Sequence, residues 1–199
     1  GRVRASATAS HPSLFPQPGW SEQRPADWWR STCQATRAVL RQAGRARADI
    51  GALGLSGQMH GSVFLDARQE VLCNALLWND QRSGAECAEI QRRAGGRAEL
   101  IRLVRNVALT GYQAPKILWL RRHRPKTFAR VRTVLLPKDY VNFRLTGVLK
   151  SEVSDASGTL LLDVANRCWS TELMNRLDLD PALFPPVVPL IVAPSVSVS

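Results

Sequence analysis

The stretch Ser154-Asp155-Ala156-Ser157-Gly158-Thr159 joins a segment with strand character, residues 148–153, to the apolar run Leu160-Leu161-Leu162. A carboxylate at this place lies where an extended segment ends and the backbone turns. The small residues around it leave room for a ligand to approach. Asp beside Ser and Gly is also common in turns, because its side chain bonds its own backbone. The six residues alone therefore leave a catalytic and a structural role open.

Outward from this stretch, predicted strands alternate with predicted helices, which is typical of an α/β fold. Hydrophobic patterning predicts buried strands at 50–55, 131–136 and 149–153, a hairpin of 62–65 with 71–77, and helices at about 27–47, 83–94, 97–105, 114–123, 137–145 and 170–177. Because the hairpin adds antiparallel pairing, we expect the sheet to be mixed.

Three polar clusters follow predicted strands: Gln58-Met59-His60, Trp78-Asn79-Asp80-Gln81-Arg82 and Ser154-Asp155. Ligands of open α/β sheets bind beyond strand ends, so the clusters predict one shared site. Each cluster also has a structural interpretation. His60 is a candidate structural hydrogen-bonding group, Trp78 a core residue and Asp80 a cap for the following helix.

Other motifs add little to the functional assignment. Lys116 and Trp119 share one face of a predicted helix, which we interpret as an amphipathic helix that packs its Trp. The sequence has no Walker-type phosphate loop and no Gly-x-Gly-x-x-Gly. It also lacks Gly-x-Ser-x-Gly, which disfavours serine hydrolysis.

The composition is that of a globular protein, with 199 residues, 45% hydrophobic residues and a net charge of +11. The arginines are dispersed and lack interleaved aromatic residues, so nucleic-acid binding is not expected, whereas an anionic small substrate is compatible. No apolar run reaches the roughly 18 residues of a membrane span. Four cysteines without a Cys-x-x-Cys pair and three histidines disfavour a structural zinc site and fit a reducing compartment.

The chain resembles the FGGY carbohydrate kinases, and among them most the xylulokinases, over residues 1–189. The matching segments, in the family's order, are Gly19-Trp20-Ser21-Glu22-Gln23 with Pro25 and Asp27-Trp28-Trp29; Gly57-Gln58-Met59-His60-Gly61; Leu77-Trp78-Asn79-Asp80 with Arg82; Ala114-Pro115-Lys116 with Leu118-Trp119; Leu135-Leu136-Pro137-Lys138-Asp139-Tyr140; and Ser154-Asp155-Ala156-Ser157-Gly158-Thr159 with Leu162-Asp163-Val164.

This resemblance implies an actin-like, ribonuclease H-like ATPase fold and the ATP-dependent phosphorylation of D-xylulose to D-xylulose 5-phosphate. Asp155 matches the family's catalytic base. Met59 and His60 match its sugar-contacting pair, and Trp78 and Asp80 match positions that line the same pocket. The implied partners are the sugar, ATP and Mg²⁺ in the cytoplasm, with neither nucleic acid nor membrane. No metal ligand is assigned within the chain, and a homodimer is an option for the complete enzyme.

The chain also departs from the family pattern. The family's first strand with Asp-x-Gly-Thr and its second domain, which holds most of the adenine site, have no counterpart, and Gln113 stands where the family prefers a small hydroxyl residue or proline. We therefore expect residues 1–189 to form an incomplete sugar-binding domain, 190–199 to be a non-homologous or truncated tail, and the chain alone to have little kinase activity. Two alternatives stay open: an FGGY kinase for another pentulose or polyol, and a non-catalytic basic binding module.

Overall fold

The computed structural model describes residues 1–189, so the predicted tail at 190–199 lies outside the described residues. The α-helices of this range are α1 (Pro25–Ala43), α2 (Gly84–Arg93), α3 (Arg97–Val104), α4 (Gln113–His123), α5 (Pro125–Phe128), α6 (Pro137–Thr146), α7 (Val153–Ala156) and α8 (Thr171–Arg176). Short 3-10 helices span Gly44–Asp49, Ser157–Thr159 and Pro181–Leu183. None of the described helices is long and apolar enough to cross a membrane.

Helix ends follow local chemistry. Proline occupies the first turn of α1 and of α6, where its missing N–H removes no helical hydrogen bond. Gly147 ends α6 with a φ of 71°, a left-handed conformation that glycine adopts without steric cost. The predicted helices at 83–94, 97–105, 114–123 and 170–177 correspond to α2, α3, α4 and α8.

The strands are short and pair two by two. They are β1 (Glu22–Gln23), β2 (Val63–Leu65), β3 (Ala75–Leu76), β4 (Thr133–Leu135), β5 (Ser151–Glu152), β6 (Leu162–Asp163), β7 (Cys168–Trp169) and β8 (Val187–Val188). The β1–β3, β2–β4 and β6–β7 pairs are antiparallel, and the β5–β8 pair is parallel. The predicted mixed sheet is therefore not confirmed, because among residues 1–189 each sheet has two strands and a single pairing type.

The predicted hairpin is present in a reduced form. Antiparallel bridges join Leu65 to Val71 and Ser62 to Leu76, while β2 makes its regular ladder with β4 instead. The predicted strand at 50–55 is wrong for the described part of the chain, where this segment has no strand partner. An apolar segment forms a strand only if the N–H and C=O groups of its backbone pair with those of another strand.

Strand β2 lies between two hydrophobic cores, because successive side chains of a strand point to opposite faces. Phe64 packs into the larger core with residues of α2, α3, α4 and α8. Val63 and Leu65 pack into the smaller core with Trp28 and Tyr140. Every residue of α4 from Gln113 to Leu120 is buried, and its apolar residues form part of the larger core.

A buried arginine joins the N-terminal segment, the end of the hairpin and α4. The Arg82 side chain is 2% exposed, and its Nη2 atom lies 2.7 Å from Asp80 Oδ2 and 2.9 Å from Glu22 Oε1. Its guanidinium carbon lies 3.6 Å from the Trp20 ring centroid and 4.9 Å from that of Trp119. Carboxylates and aromatic faces together compensate the loss of water around the cation.

Asp80 completes this network from the loop that follows β3. Its carboxylate also accepts a 2.7 Å hydrogen bond from the backbone N–H of Ser21, and the residue is fully buried. Asp80 therefore pairs with Arg82 two residues later in the same loop and fixes the loop carrying Trp78 through its hydrogen bond to Ser21, instead of capping the following helix.

We expect Asp80→Asn to lower the free energy of unfolding by about 3–5 kcal/mol, because it leaves a buried guanidinium short of one carboxylate. Chemical denaturation followed by circular dichroism measures the loss. The matched control is Asp49→Asn at an exposed position, which should change stability by less than about 0.5 kcal/mol. Equal stabilities for the two variants would contradict the structural role of Asp80.

Candidate active site

His60 is held directly against the Ser154–Thr159 stretch. Its Nδ1 atom lies 2.8 Å from the carbonyl oxygen of Gly158. Since a carbonyl oxygen only accepts, Nδ1 donates in this contact, and Nε2 makes no hydrogen bond to residues 1–189. The geometry leaves Nε2 of His60 as a polar group for a ligand.

Glycine at position 158 makes this approach achievable. A Cβ atom there would lie 2.5 Å from the Met59 carbonyl oxygen and 2.8 Å from His60 Nδ1. Both distances are shorter than real Cβ contacts, so any side chain would push the two segments apart. The Gly158 backbone, three residues after Asp155, is thus in contact with Met59 and His60, whereas the meeting of the predicted Ser154-Asp155 cluster with them stays a prediction.

The loop before α4 links His60 to the Trp78 cluster. The Tyr112 ring meets the His60 ring edge to face, with centroids 4.9 Å apart. Its neighbour Gly111 packs so closely on the backbone of Trp78 that a Cβ would lie 2.8 Å from the Trp78 carbonyl oxygen. Trp78 itself is 58% exposed, which excludes the core role that the sequence left open.

The first turn of α4 holds the backbone of this region with two buried polar side chains. Lys116 Nζ donates to the His60 carbonyl at 2.8 Å and also to the Gly111 carbonyl. Gln113 Nε2 donates to the carbonyls of Gly61, at 3.1 Å, and Leu135, at 3.0 Å. Sequence reasoning missed both roles. The available signal was a lysine and a glutamine at the start of an apolar helix, where each needs a buried partner.

Asp155 lies in α7, a single helical turn capped by Glu152. The Glu152 carboxylate accepts from the backbone N–H groups of Ser154, at 2.8 Å, and Asp155, at 2.6 Å. Lys138 Nζ lies 3.0 Å from Glu152 Oε1 and 3.1 Å from Asp155 Oδ2. The contact with Asp155 is an ion pair and not an aligned hydrogen bond, because Oδ2 accepts no hydrogen bond from the described residues, Lys138 included.

The cluster around Lys138 borders a cavity of about 300 Å³ that Asp139 also lines. Burial raises the pKa of Asp139 to about 6, against the opposing effects of a 2.7 Å hydrogen bond from Ser151 and the Lys138 charge. Burial alone would lower the pKa of Lys138, but Asp139, Glu152 and Asp155 outweigh it and raise that pKa above its ordinary value. The cluster therefore keeps a charged lysine at neutral pH.

The predicted site residues divide into two groups. His60 and Trp78 lie against the loop at Gly111 and Tyr112, His60 through its ring and Trp78 through its backbone carbonyl, while the Met59 carbonyl lies against Gly158. Asp80 is fully buried with its oxygens engaged by Ser21 and Arg82, so its predicted contact with a sugar stays a prediction without an exposed surface to support it. The role of Asp155 as a base also stays a prediction.

The residues present do not form a metal site by themselves. Among residues 1–189, no group of three or more His, Cys, Asp or Glu side chains has a geometry that could hold a metal ion. The carboxylates of Asp139, Glu152 and Asp155 all lie within 4 Å of the Lys138 ammonium. A Mg²⁺ ion is usually held by one or two carboxylates together with nucleotide phosphates, so at residues 1–189 it would have to share its ligands with the nucleotide.

We expect Gly158→Ala to destabilise the protein by about 1–3 kcal/mol, because the new methyl group overlaps the Met59 carbonyl and the His60 ring. Thermal unfolding and the NMR shifts of the His60 ring measure the effect. Gly84→Ala, at a helical glycine with open space around it, is the control and should be neutral or slightly stabilising. Unchanged His60 shifts in Gly158→Ala would contradict the contact.

The chain matches known proteins over nearly its whole length. Residues 1–190 match the model of the FGGY family of carbohydrate kinases, N-terminal domain. The chain is 43% identical to the xylulose kinase of Escherichia coli (strain K12) over 188 residues, and 39% identical to that of Bacillus subtilis (strain 168) over 188 residues. Its structure superposes on the crystal structure of a xyloylose kinase from Brucella ovis with a TM-score of 0.84 at 40% identity.

These matches cover most of this chain and a minor part of each relative. They take in 92% of the chain and 38% of the Escherichia coli protein, 94% and 37% for Bacillus subtilis, and 89% and 36% for the Brucella ovis structure. The likeness to FGGY kinase structures implies the actin-like ATPase fold. With 190 consecutive residues matched by the family model, the chain belongs to the FGGY family of carbohydrate kinases.

Proposed function

We propose that the complete gene product containing this chain phosphorylates the primary hydroxyl of D-xylulose with ATP, giving D-xylulose 5-phosphate, and that this chain forms the sugar-binding side. The carrying observation is that His60 and Trp78 both lie against the Gly111–Tyr112 loop, with His60 Nδ1 engaged by Gly158 and Trp78 exposed. The names of the relatives, xylulose kinases at 39–43% identity, support this substrate.

In this proposal the sugar lies between one polar and two less polar walls. His60 Nε2 accepts a hydrogen bond from a sugar hydroxyl, because Nδ1 is already engaged by Gly158. Met59 and the Trp78 indole pack on the carbon skeleton. ATP supplies the phosphoryl group, and Mg²⁺ the charge compensation that phosphoryl transfer needs.

We propose Asp155 as the base that takes the proton of the attacking hydroxyl. A carboxylate within hydrogen-bond reach of that hydroxyl is what the reaction needs. The ion pair with Lys138 sets a condition, because an oxygen paired with an ammonium group is a weaker proton acceptor. Proton uptake at Asp155 therefore requires that the Lys138 contact loosens when substrate binds.

We expect the complete gene product to release ADP in a manner that depends on both D-xylulose and ATP, in a coupled assay with a panel of pentuloses and polyols. His60→Ala should raise the KM for the sugar about tenfold or more while leaving the KM for ATP unchanged, since it removes one hydrogen bond to the substrate. Turnover of another pentulose or of glycerol, without turnover of D-xylulose, would refute the proposed substrate.

Because Asp155 is the proposed base, Asp155→Asn should lower kcat by about 10²–10⁴-fold in the complete gene product, with little change in the KM for ATP. The amide keeps the shape of the side chain but cannot accept the proton. The exposed Asp49→Asn variant is the matched control. A kcat within about twofold of the unsubstituted enzyme, together with a lower melting temperature, would assign Asp155 a structural role in the Lys138 cluster instead.

A further inference from the structure

Lys116 is a buried cationic side chain whose partners are backbone carbonyls. The residue is 0% exposed, and its Nζ atom donates to the carbonyls of His60 and Gly111. It forms no ion pair with a carboxylate among the described residues, unlike Arg82, which is buried with two. Burying an amine without a carboxylate partner costs free energy of folding. The cost is accounted for if Lys116 holds its two carbonyl partners in place.

One carbonyl belongs to the loop that carries His60, and the other to the loop that packs on Trp78. One is that of His60 itself, so the hydrogen bond acts on the residue whose ring faces the ligand. The other is that of Gly111, which packs on the Trp78 backbone and precedes Tyr112, the aromatic neighbour of His60. A single nitrogen atom is thus bonded to both halves of the site.

We propose that Lys116 is a positioning residue for the sugar site, which clamps the His60 loop to the Gly111 loop and thereby sets the distance between His60 and Trp78. Lys116 does not touch the substrate in this proposal. Its effect is on sugar affinity through the geometry of the two loops. The inference rests on the proposed function for the identity of the ligand.

The clamp depends on N–H donors and does not need a positive charge. Burial lowers the pKa of Lys116 to about 7, so the amine loses much of its charge near neutral pH. A neutral amine still has two N–H donors, which is the number that two carbonyl acceptors require. Gln113, one helical turn earlier, supports the same loop by donating to Gly61, but it does not reach the Gly111 loop.

The test compares Lys116→Met with Lys116→Gln in the complete gene product. The two new side chains extend the same number of bonds from Cα, but only Gln carries two N–H donors. Lys126→Met, at an exposed lysine, is the control. We expect Lys116→Met to raise the KM for D-xylulose about tenfold or more without changing the KM for ATP, and Lys116→Gln to restore part of the loss.

A second measurement follows the loops without substrate. Hydrogen–deuterium exchange of peptides covering residues 58–61 and 109–112 should speed up together in Lys116→Met, less in Lys116→Gln, and not in Lys126→Met. Unchanged exchange in Lys116→Met, or an unchanged KM for the sugar in an otherwise active variant, would overturn the positioning role. Parallel rises in the KM for sugar and ATP would overturn it as well.

The two hypotheses fail in different ways. If the unsubstituted protein does not turn over D-xylulose while both loops exchange faster in Lys116→Met, the clamp is supported and the proposed substrate is refuted. If the unsubstituted protein is active and Lys116→Met leaves both loops and the sugar KM unchanged, the proposed function stands and the clamp is refuted.

Discussion

The buried Arg82 guanidinium is the constraint on which the surrounding structure depends. It takes its two carboxylates from separate segments, Glu22 before α1 and Asp80 after β3, and its aromatic faces from Trp20 and Trp119. Together these groups offset the cost of removing the guanidinium from water. The network consequently fixes the loop that contains Trp78 relative to α4.

Helix α4 extends this constraint to the candidate site. Its later turns place Trp119 against Arg82, and its first turn places Gln113 and Lys116 against the carbonyls of residues 60, 61, 111 and 135. These polar groups are buried and hydrogen-bonded, which is the condition for polar side chains inside a protein. The helix is therefore both a core element and the support of two functional loops.

The Ser154–Thr159 stretch makes two separate contacts, one with His60 and one with Lys138. Gly158 allows the backbone to touch His60, while Asp155 is held at Lys138 beside Glu152. The polar cluster at Lys138 and the aromatic cluster at His60 thus share one short segment of chain. Only two residues, Ala156 and Ser157, separate Asp155 of the Lys138 cluster from Gly158 at His60.

Much of the fold was predictable because its signals are local. Apolar periodicity, proline at helix starts and Gly147 at a helix end are properties of short segments, and α2, α3, α4 and α8 lie where they indicate. The predicted strand at 50–55 and the mixed sheet failed for the opposite reason. A strand needs a partner from elsewhere in the chain, and apolar residues alone do not specify one.

The sequence by itself determined the family and the polar clusters at Met59-His60, Trp78–Arg82 and Ser154-Asp155. The tertiary structure decided what each side chain faces. Trp78 is exposed, Asp80 is turned to Arg82, and Lys116 bonds two carbonyls 56 and 5 residues away along the chain. The Ser21 partner of Asp80 and the His60 partner of Lys116 lie 59 and 56 residues away, and residue type and spacing carry no record of such contacts.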